Sequence, residues 1–138
     1  MKILGIDLGS RTVGIAVSDI LETIASPVNT FRIRENDLQE ALGYVKMVIE
    51  EYGIQKIVLG LPKNMNGTIG PQAEYCLQFK DLLEKEVGLE VVMVDERMTS
   101  IMANNAMLEA DLSRNKRKQN VDKLAASIIL QSYLDRKR

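Results

Sequence analysis

Three short segments place carboxylates where carboxylates are costly. Asp7 lies inside the apolar run KILGIDLG, between Gly5 and Gly9; Asp95 and Glu96 close the run LEVVMVDE; Asp122 opens the run NVDKLAAS. An ionised carboxylate withdrawn from water is strongly destabilising unless it is paired or bound to a metal. Each segment has an ordinary structural explanation when taken alone. Asp7 can accept hydrogen bonds from the turn that follows it. The acids at 95 and 96 can be a polar strand end ahead of a helix capped by Thr99. A carboxylate in a first helical turn gains about 0.3–1 kcal/mol from the helix dipole, which accounts for Asp122. Taken together they invite a different reading. Acids from three separate segments, brought to one place, repel one another, and a divalent cation is the usual remedy. Two magnesium ions about 3.5–4 Å apart would activate a water and stabilise the leaving oxygen in phosphodiester cleavage. Side chains alternate along a strand, so Asp95 and Glu96 cannot both face such a site unless the strand has already ended; which of them points inward stays open at this level.

The residues that are missing narrow the chemistry further. There is no histidine, so a Ser-His-Asp triad, a Cys-His pair and a His-ligated zinc are excluded. The single cysteine, Cys76, excludes an intrachain disulfide and a cysteine metal cluster. It falls on a helical segment expected to lie away from the acids. The 138 residues are 46% hydrophobic and 27% charged, which suits one soluble globular domain spanning 1–138 and argues against disorder. No apolar run approaches the ~20 residues of a membrane span, and MKILGIDLGSR does not read as a secretory signal; the expectation is a cytoplasmic protein with no membrane partner. A net charge of −1 gives no whole-molecule attraction to nucleic acid.

The elements that must position these residues follow from hydrophobic periodicity. Residues 2–8 and 13–19 read as two strands of a hairpin joined by the turn Gly9-Ser10-Arg11-Thr12. Residues 23–31 form a third strand, confined to a sheet edge by Pro27, which cannot donate to a ladder. Leu38, Ala41, Leu42, Val45, Ile49 and Tyr52 recur at helical spacing up to Gly53. The uninterrupted run 56–61 reads as a strand covered on both faces. Pro71 suits the first turn of a second helix carrying Ala73, Leu77, Leu82 and Leu83, and 89–94 is a fifth strand. A third helix is expected over 101–108, the charged stretch 111–119 as a loop, and a last helix over roughly 121–135. The order predicts an α/β fold: a mixed five-stranded sheet that starts with a hairpin, continues through two βαβ crossovers and is flanked by helices. Sites in open α/β sheets form at the carboxyl ends of parallel strands, and those ends carry Asp7, the 61–70 loop and the 95–97 segment.

Further candidates surround the acids. In GLPKNMNGTIGPQAE, Gly67, Gly70 and the helix start at Pro71 could present backbone N–H groups to an anion, although an ordinary βα loop looks the same. Arg114, Lys116, Arg117 and Lys118 crowd into five residues and could contact phosphates, or form a solvated turn.

The segments GIDLGSRTVGIAVSD, GLPKNMNGTIGPQAE, VDERMTS and RKQNVDKLAAS, in this order and spacing, resemble the YqgF/RuvX family over essentially the whole chain. The family comprises Holliday-junction-resolvase-like nucleases regarded as processing the small-subunit ribosomal RNA precursor. The resemblance implies a ribonuclease H-like fold and hydrolysis dependent on magnesium or manganese. It implies metal-binding, catalytic places for Asp7, Glu96 and Asp122, with Asp95 as the alternative to Glu96. It puts Lys63, Asn64, Gly67 and Arg97 in phosphate-facing segments. Arg11 and the basic run 114–118 join them as candidate substrate contacts. The expected partner is nucleic acid, a structured RNA precursor or branched DNA, with the oligomeric state open between monomer and homodimer. Two other readings compete. GIDLG followed by a hydroxyl also resembles the first phosphate loop of the actin and sugar-kinase superfamily, but that architecture closes two domains over a nucleotide and this chain has length for one. A non-catalytic RNA-binding module would keep the fold, yet it gains nothing from clustered negative charge.

Overall fold

The computed structural model describes residues 1–96 and a helix from 114 to 137, with side chains on that helix described from residue 124 onward. Five strands form one sheet: β1 (Ile3–Leu8), β2 (Thr12–Ser18), β3 (Ala25–Arg32), β4 (Lys56–Leu61) and β5 (Val91–Asp95), in the spatial order β3-β2-β1-β4-β5. The β1–β2 and β2–β3 pairs are antiparallel, and β1, β4 and β5 run parallel. This is the predicted hairpin followed by two crossovers, with β1 in the centre. Pro27 lies on the edge strand, and the β2–β3 register slips between Ile15 and Ala16 beside it.

The crossovers are helices α1 (Leu38–Tyr52) and α2 (Pro71–Val87). Asp37 caps α1 by accepting from the Glu40 amide, and Gly53 ends it in a left-handed conformation. Pro71 opens α2, where its missing N–H costs nothing. Both helices cover one face of the sheet, against Leu4, Ile6, Leu8, Val13, Ile15, Ile57 and Leu59. Their buried seams differ slightly from expectation. In α1 Val48 is buried while Ile49 and Tyr52 sit at its margin; in α2 Cys76 and Phe79 fill the core while Leu77 and Leu82 are only partly covered.

The opposite face belongs to α3 (Arg114–Lys137). Here the expected boundaries fail: positions 114–119 are helical, not a loop, and the helix starts well before 121. The reason is visible in RNKRKQN. Arg, Lys and Gln favour helix, but the stretch has no apolar stripe, so periodicity cannot announce it. The helix expected over 101–108, with Thr99 as its cap, lies outside the described residues.

Ala126, Ile129, Leu130 and Leu134 of α3 pack on Ile3, Ala16, Val58 and Val94. Gln131 fixes the helix along its axis, accepting from the Ala25 amide at 2.9 Å and donating to the Thr23 carbonyl at 3.0 Å. The close approach depends on Gly5: a Cβ there would sit 2.7 Å from Leu130 Cβ and 3.0 Å from the Ala126 carbonyl oxygen. Neither neighbour can swing aside, because both are fixed to the helix backbone. Gly5→Ala is therefore expected to lower stability by about 1–3 kcal/mol, as overpacked cores do. Urea unfolding at constant m-value measures it, and an unchanged midpoint would show that α3 does not seat on β1.

Candidate active site

Alternation along the strands decides which acids meet. Val92 and Val94 of β5 face α3, while Val91 and Met93 pack with the other layer. By the same alternation Asp95 belongs with Val91 and Met93. The strand then ends, and Glu96 follows in a turn, anchored by its amide donating to the Leu61 carbonyl at 3.1 Å. Its side chain folds back over β4. A Cβ at position 60 would lie 2.7 Å from the Glu96 carboxyl carbon and 2.7 Å from Ile129 Cδ1, so Gly60 is the cradle in which that carboxyl group rests. There it is hydrogen-bonded to the carboxyl group of Asp7, on the adjacent strand. The question left open by the sequence thus closes in favour of Glu96 as the acid beside Asp7.

The electrostatics register this proximity. Burial above all, then the charge and hydrogen bond of Asp7, then the charge of Asp95, push the Glu96 carboxyl from its ordinary 4.5 up to about 9. Cys76 feels the same acids. Burial pushes its thiol up to about 12, with smaller contributions from Glu96 and Asp7. The cysteine is therefore not remote from the acids, as expected from its helix alone, because α2 begins beside the carboxyl end of β1 and sets Cys76 Sγ 3.9 Å from the Leu8 carbonyl oxygen. It remains a protonated, buried thiol and a poor nucleophile.

A cleft of about 360 Å³ opens beside Asp7, lined by Thr12, Gly14, Thr30 and Arg32. Thr30 and Arg32 escaped the sequence reading. Their signal was present but faint: two polar residues two apart on an edge strand share a face, and only the β2–β3 register turns that face towards Asp7.

The other candidates are distributed as follows. Arg11 sits exposed in the β1–β2 turn, 3.6 Å from the Glu35 carboxylate. Lys63, Asn64 and Gly67 lie in the β4–α2 loop, but the loop uses its own amides. The Gly67 N–H donates to the Asn64 carbonyl, the Asn64 N–H to the Thr68 carbonyl, and the Thr68 N–H to Asn66 Oδ1. The expectation that Gly67 offers its amide to an anion is thereby corrected; what this loop presents outward is side chains. Arg97 lies outside the described residues, as do the side chains of Asp122, Arg114, Lys116, Arg117 and Lys118. Position 122 belongs to α3, one turn before Ala126.

Among the described residues no group of three acid, cysteine or histidine side chains closes a metal site; Asp7 and Glu96 supply two members. Their chemistry nevertheless suits a hard divalent cation. Two carboxyl groups share one half-buried spot, and the proton that Glu96 retains is what a cation would replace.

A five-stranded mixed sheet, with Asp7 near the carboxyl end of its central strand and Glu96 just past the end of the parallel edge strand β5, defines a ribonuclease H-like domain. RuvC of Thermus thermophilus, solved in complex with a Holliday junction substrate, superimposes with a TM-score of 0.55 at 14% identity, covering 99% of this chain and 96% of that one. One part of the ROK hexokinase of the same organism also superimposes, with a TM-score of 0.50 at 17% identity, over 75% of this chain but 38% of the kinase. The chain belongs to the RuvX family, described as Holliday junction resolvase, which it matches over residues 1–136. A relative from Listeria monocytogenes serotype 4b, carrying the name "Putative pre-16S rRNA nuclease", is 52% identical over 135 residues and 98% of each chain.

The raised Glu96 value has a consequence for stability. The native state keeps a proton that the unfolded chain releases above about pH 4.5, so the stability linked to that proton is full at lower pH and is lost progressively as pH rises towards about 9. Chemical denaturation of metal-free protein across this range should show the decline, and Glu96→Gln should flatten it. An equal slope in wild type and variant would mean that the two carboxyl groups do not meet.

Proposed function

We propose that this protein is a metal-dependent nuclease that matures the 5′ end of pre-16S ribosomal RNA, working in the cytoplasm as a single ribonuclease H-like domain over residues 1–138. The observation that carries the reading is the contact between Asp7 and Glu96 in a half-buried setting, an arrangement that is unfavourable until a cation enters it. Magnesium or manganese, bound there, would polarise the phosphodiester and activate a water. Asp7, Glu96 and Asp122 are the residues assigned to hold it. In support of the third, α3 runs over β1 so that Ala126 lies beside Gly14 and Leu130 beside Gly5, and position 122 comes one turn earlier, towards the carboxyl ends of the strands.

The remaining residues bind and orient. Asp7 is held rigidly by the central strand, which suits an oriented ligand better than a loop would. Glu96 gives up its proton when the cation enters, so metal affinity rises with pH. Lys63 and Asn64 from the β4–α2 loop, Arg11 from the first turn, Arg97 and the basic positions 114–118 are assigned to the substrate's phosphates. With no histidine in the chain, no side chain at the site titrates near neutrality in its ordinary state. Activity is therefore expected to rise with pH, with no decline near neutrality from a histidine acid.

Two other readings stand beside it. The RuvC likeness, at 14% identity, speaks for the fold and keeps a four-way DNA junction among the substrates to be tested. A non-catalytic RNA-binding module is opposed by the acid pair, which repels a phosphate when no cation is present.

The test is a cleavage assay on labelled 16S precursor, four-way junction and single strands, each with magnesium, manganese, calcium or chelator. Magnesium and manganese should support cleavage of the precursor, while calcium supports little, since its longer, looser coordination holds the reacting oxygens poorly. Asp7→Asn and Glu96→Gln should bring cleavage to background, yet leave the metal-free fold as stable as wild type or more so, because each relieves the cost of holding two carboxyl groups together with only one of them free to ionise. Cys76→Ala should remain active. Cleavage that persists in excess chelator, or an Asp7→Asn variant that unfolds, overturns the reading.

A further inference from the structure

We infer that Thr30 and Arg32 of β3 form a second phosphate-binding position, which holds the nucleotide next to the scissile bond of the strand cut at Asp7 and Glu96. The inference rests on the nuclease reading and deepens it by assigning a residue pair to the substrate on the side of the sheet away from β4. Three observations carry it. The first is register. Asp7 pairs with Gly14, and Gly14 with Thr30, so these positions form one row across three strands. Gly14 contributes no side chain to that row. Asp7 and Thr30, two strand spacings or about 9.6 Å apart, thus line the cleft with no side chain from β2 between them, and Ala126 of α3 packs close by Gly14 at its edge. Arg32 pairs with Thr12 in the next row, on the same face, and so stands at the rim above the gap.

The second observation is charge. Arg32 is exposed and makes no ion pair among the described residues, whereas nearby Arg11 and Arg34 pair with Glu35 and Asp37. A guanidinium carries a planar fork of donors that matches a phosphate. A polyanion entering a cleft with a carboxylate on one wall needs a cation on the other. The third is an unmade hydrogen bond. Thr30 Oγ1 is buried and has no partner among the described residues, an unfavourable state for a hydroxyl. Thr30 lines the cleft, and there a change of χ1 rotamer would let its hydroxyl meet a phosphate or ribose oxygen. The cleft, at about 360 Å³, suits a nucleotide-sized group.

The test uses the intact protein with a labelled single-stranded RNA, in two measurements: equilibrium binding in chelator across a range of salt, and steady-state cleavage in magnesium. Arg32→Ala should raise Kd and KM about tenfold, leave kcat within about twofold, and reduce the log–log salt slope by about 0.7. Arg32→Lys should restore the slope but only part of the affinity, since it keeps the charge and loses the fork. Thr30→Val, which keeps the shape, should raise KM by about threefold with unfolding unchanged. Wild-type KM and salt slope in Arg32→Ala would overturn this assignment while leaving the nuclease reading intact. Failure of the wild-type protein itself to bind or cleave the RNA would overturn both.

Discussion

Two carboxyl groups pressed together out of bulk water are the constraint around which the rest of this molecule is arranged. Asp7 and Glu96 would separate if the backbone allowed it, and several features prevent it. Asp7 is fixed near the end of the central strand, paired with Gly14 of β2 and one residue beyond the last pair with β4. Glu96 is held by its own amide on Leu61 and by the hollow that Gly60 provides. Ile129 of α3 closes that hollow from above. The missing Cβ atoms at positions 5 and 60 therefore share one purpose: they let a helix and an acid side chain lie directly on the sheet. Under the proposed function, a cation bound here would relieve the cost of holding the two acids together, and metal affinity and fold stability would then be two readings of one quantity.

The strand order and the central place of β1 were legible because they depend on features a sequence displays directly: alternation in the hairpin, a doubly covered run at 56–61, and the breaks at Gly9, Gly53, Pro71 and Gly88. Asp7 could be singled out for the same reason, as a charge in an apolar strand. The choice between Asp95 and Glu96 could not be made, because it depends on where β5 stops, and that is set by pairing with Leu61 on a distant strand. The early start of α3 was hidden by the absence of an apolar stripe in RNKRKQN, and Thr30 and Arg32 by the fact that an edge strand's inward face is fixed by register rather than composition. The β4–α2 loop misled in the opposite direction. Its glycines suggested an anion cradle, but Asn64, Asn66 and Thr68 use the amides to close the loop on itself.

That loop chemistry bears on the comparison with kinases of the same fold. In a phosphate loop the backbone amides point at the ligand and carry its charge. Here three amides of the 63–70 segment are occupied internally. The amides of Asn64, Gly67 and Thr68 therefore do not form such a cradle, which agrees with the proposal that side chains and a cation hold the phosphodiester. The portion of the fold shared with the ROK hexokinase is 38% of that enzyme.

Net charge sharpens this point. At −1 the protein exerts no overall pull on a polyanion, and over distances beyond about 8 Å at physiological salt its surface charges are screened in any case. Affinity must be generated locally, within the cleft and its rim. Under the proposed function, a cation held by the acids at its base would reverse the local sign where a phosphate enters. Metal and substrate would then stabilise each other's binding, and by linkage each would raise the other's affinity by the same factor. Arg32, exposed at the rim, acts outside this coupling: its charge is present whether or not the metal is. It can hold a strand in place before the metal site is filled, which divides the work between a permanent contact that positions the chain and a conditional one that permits its cleavage.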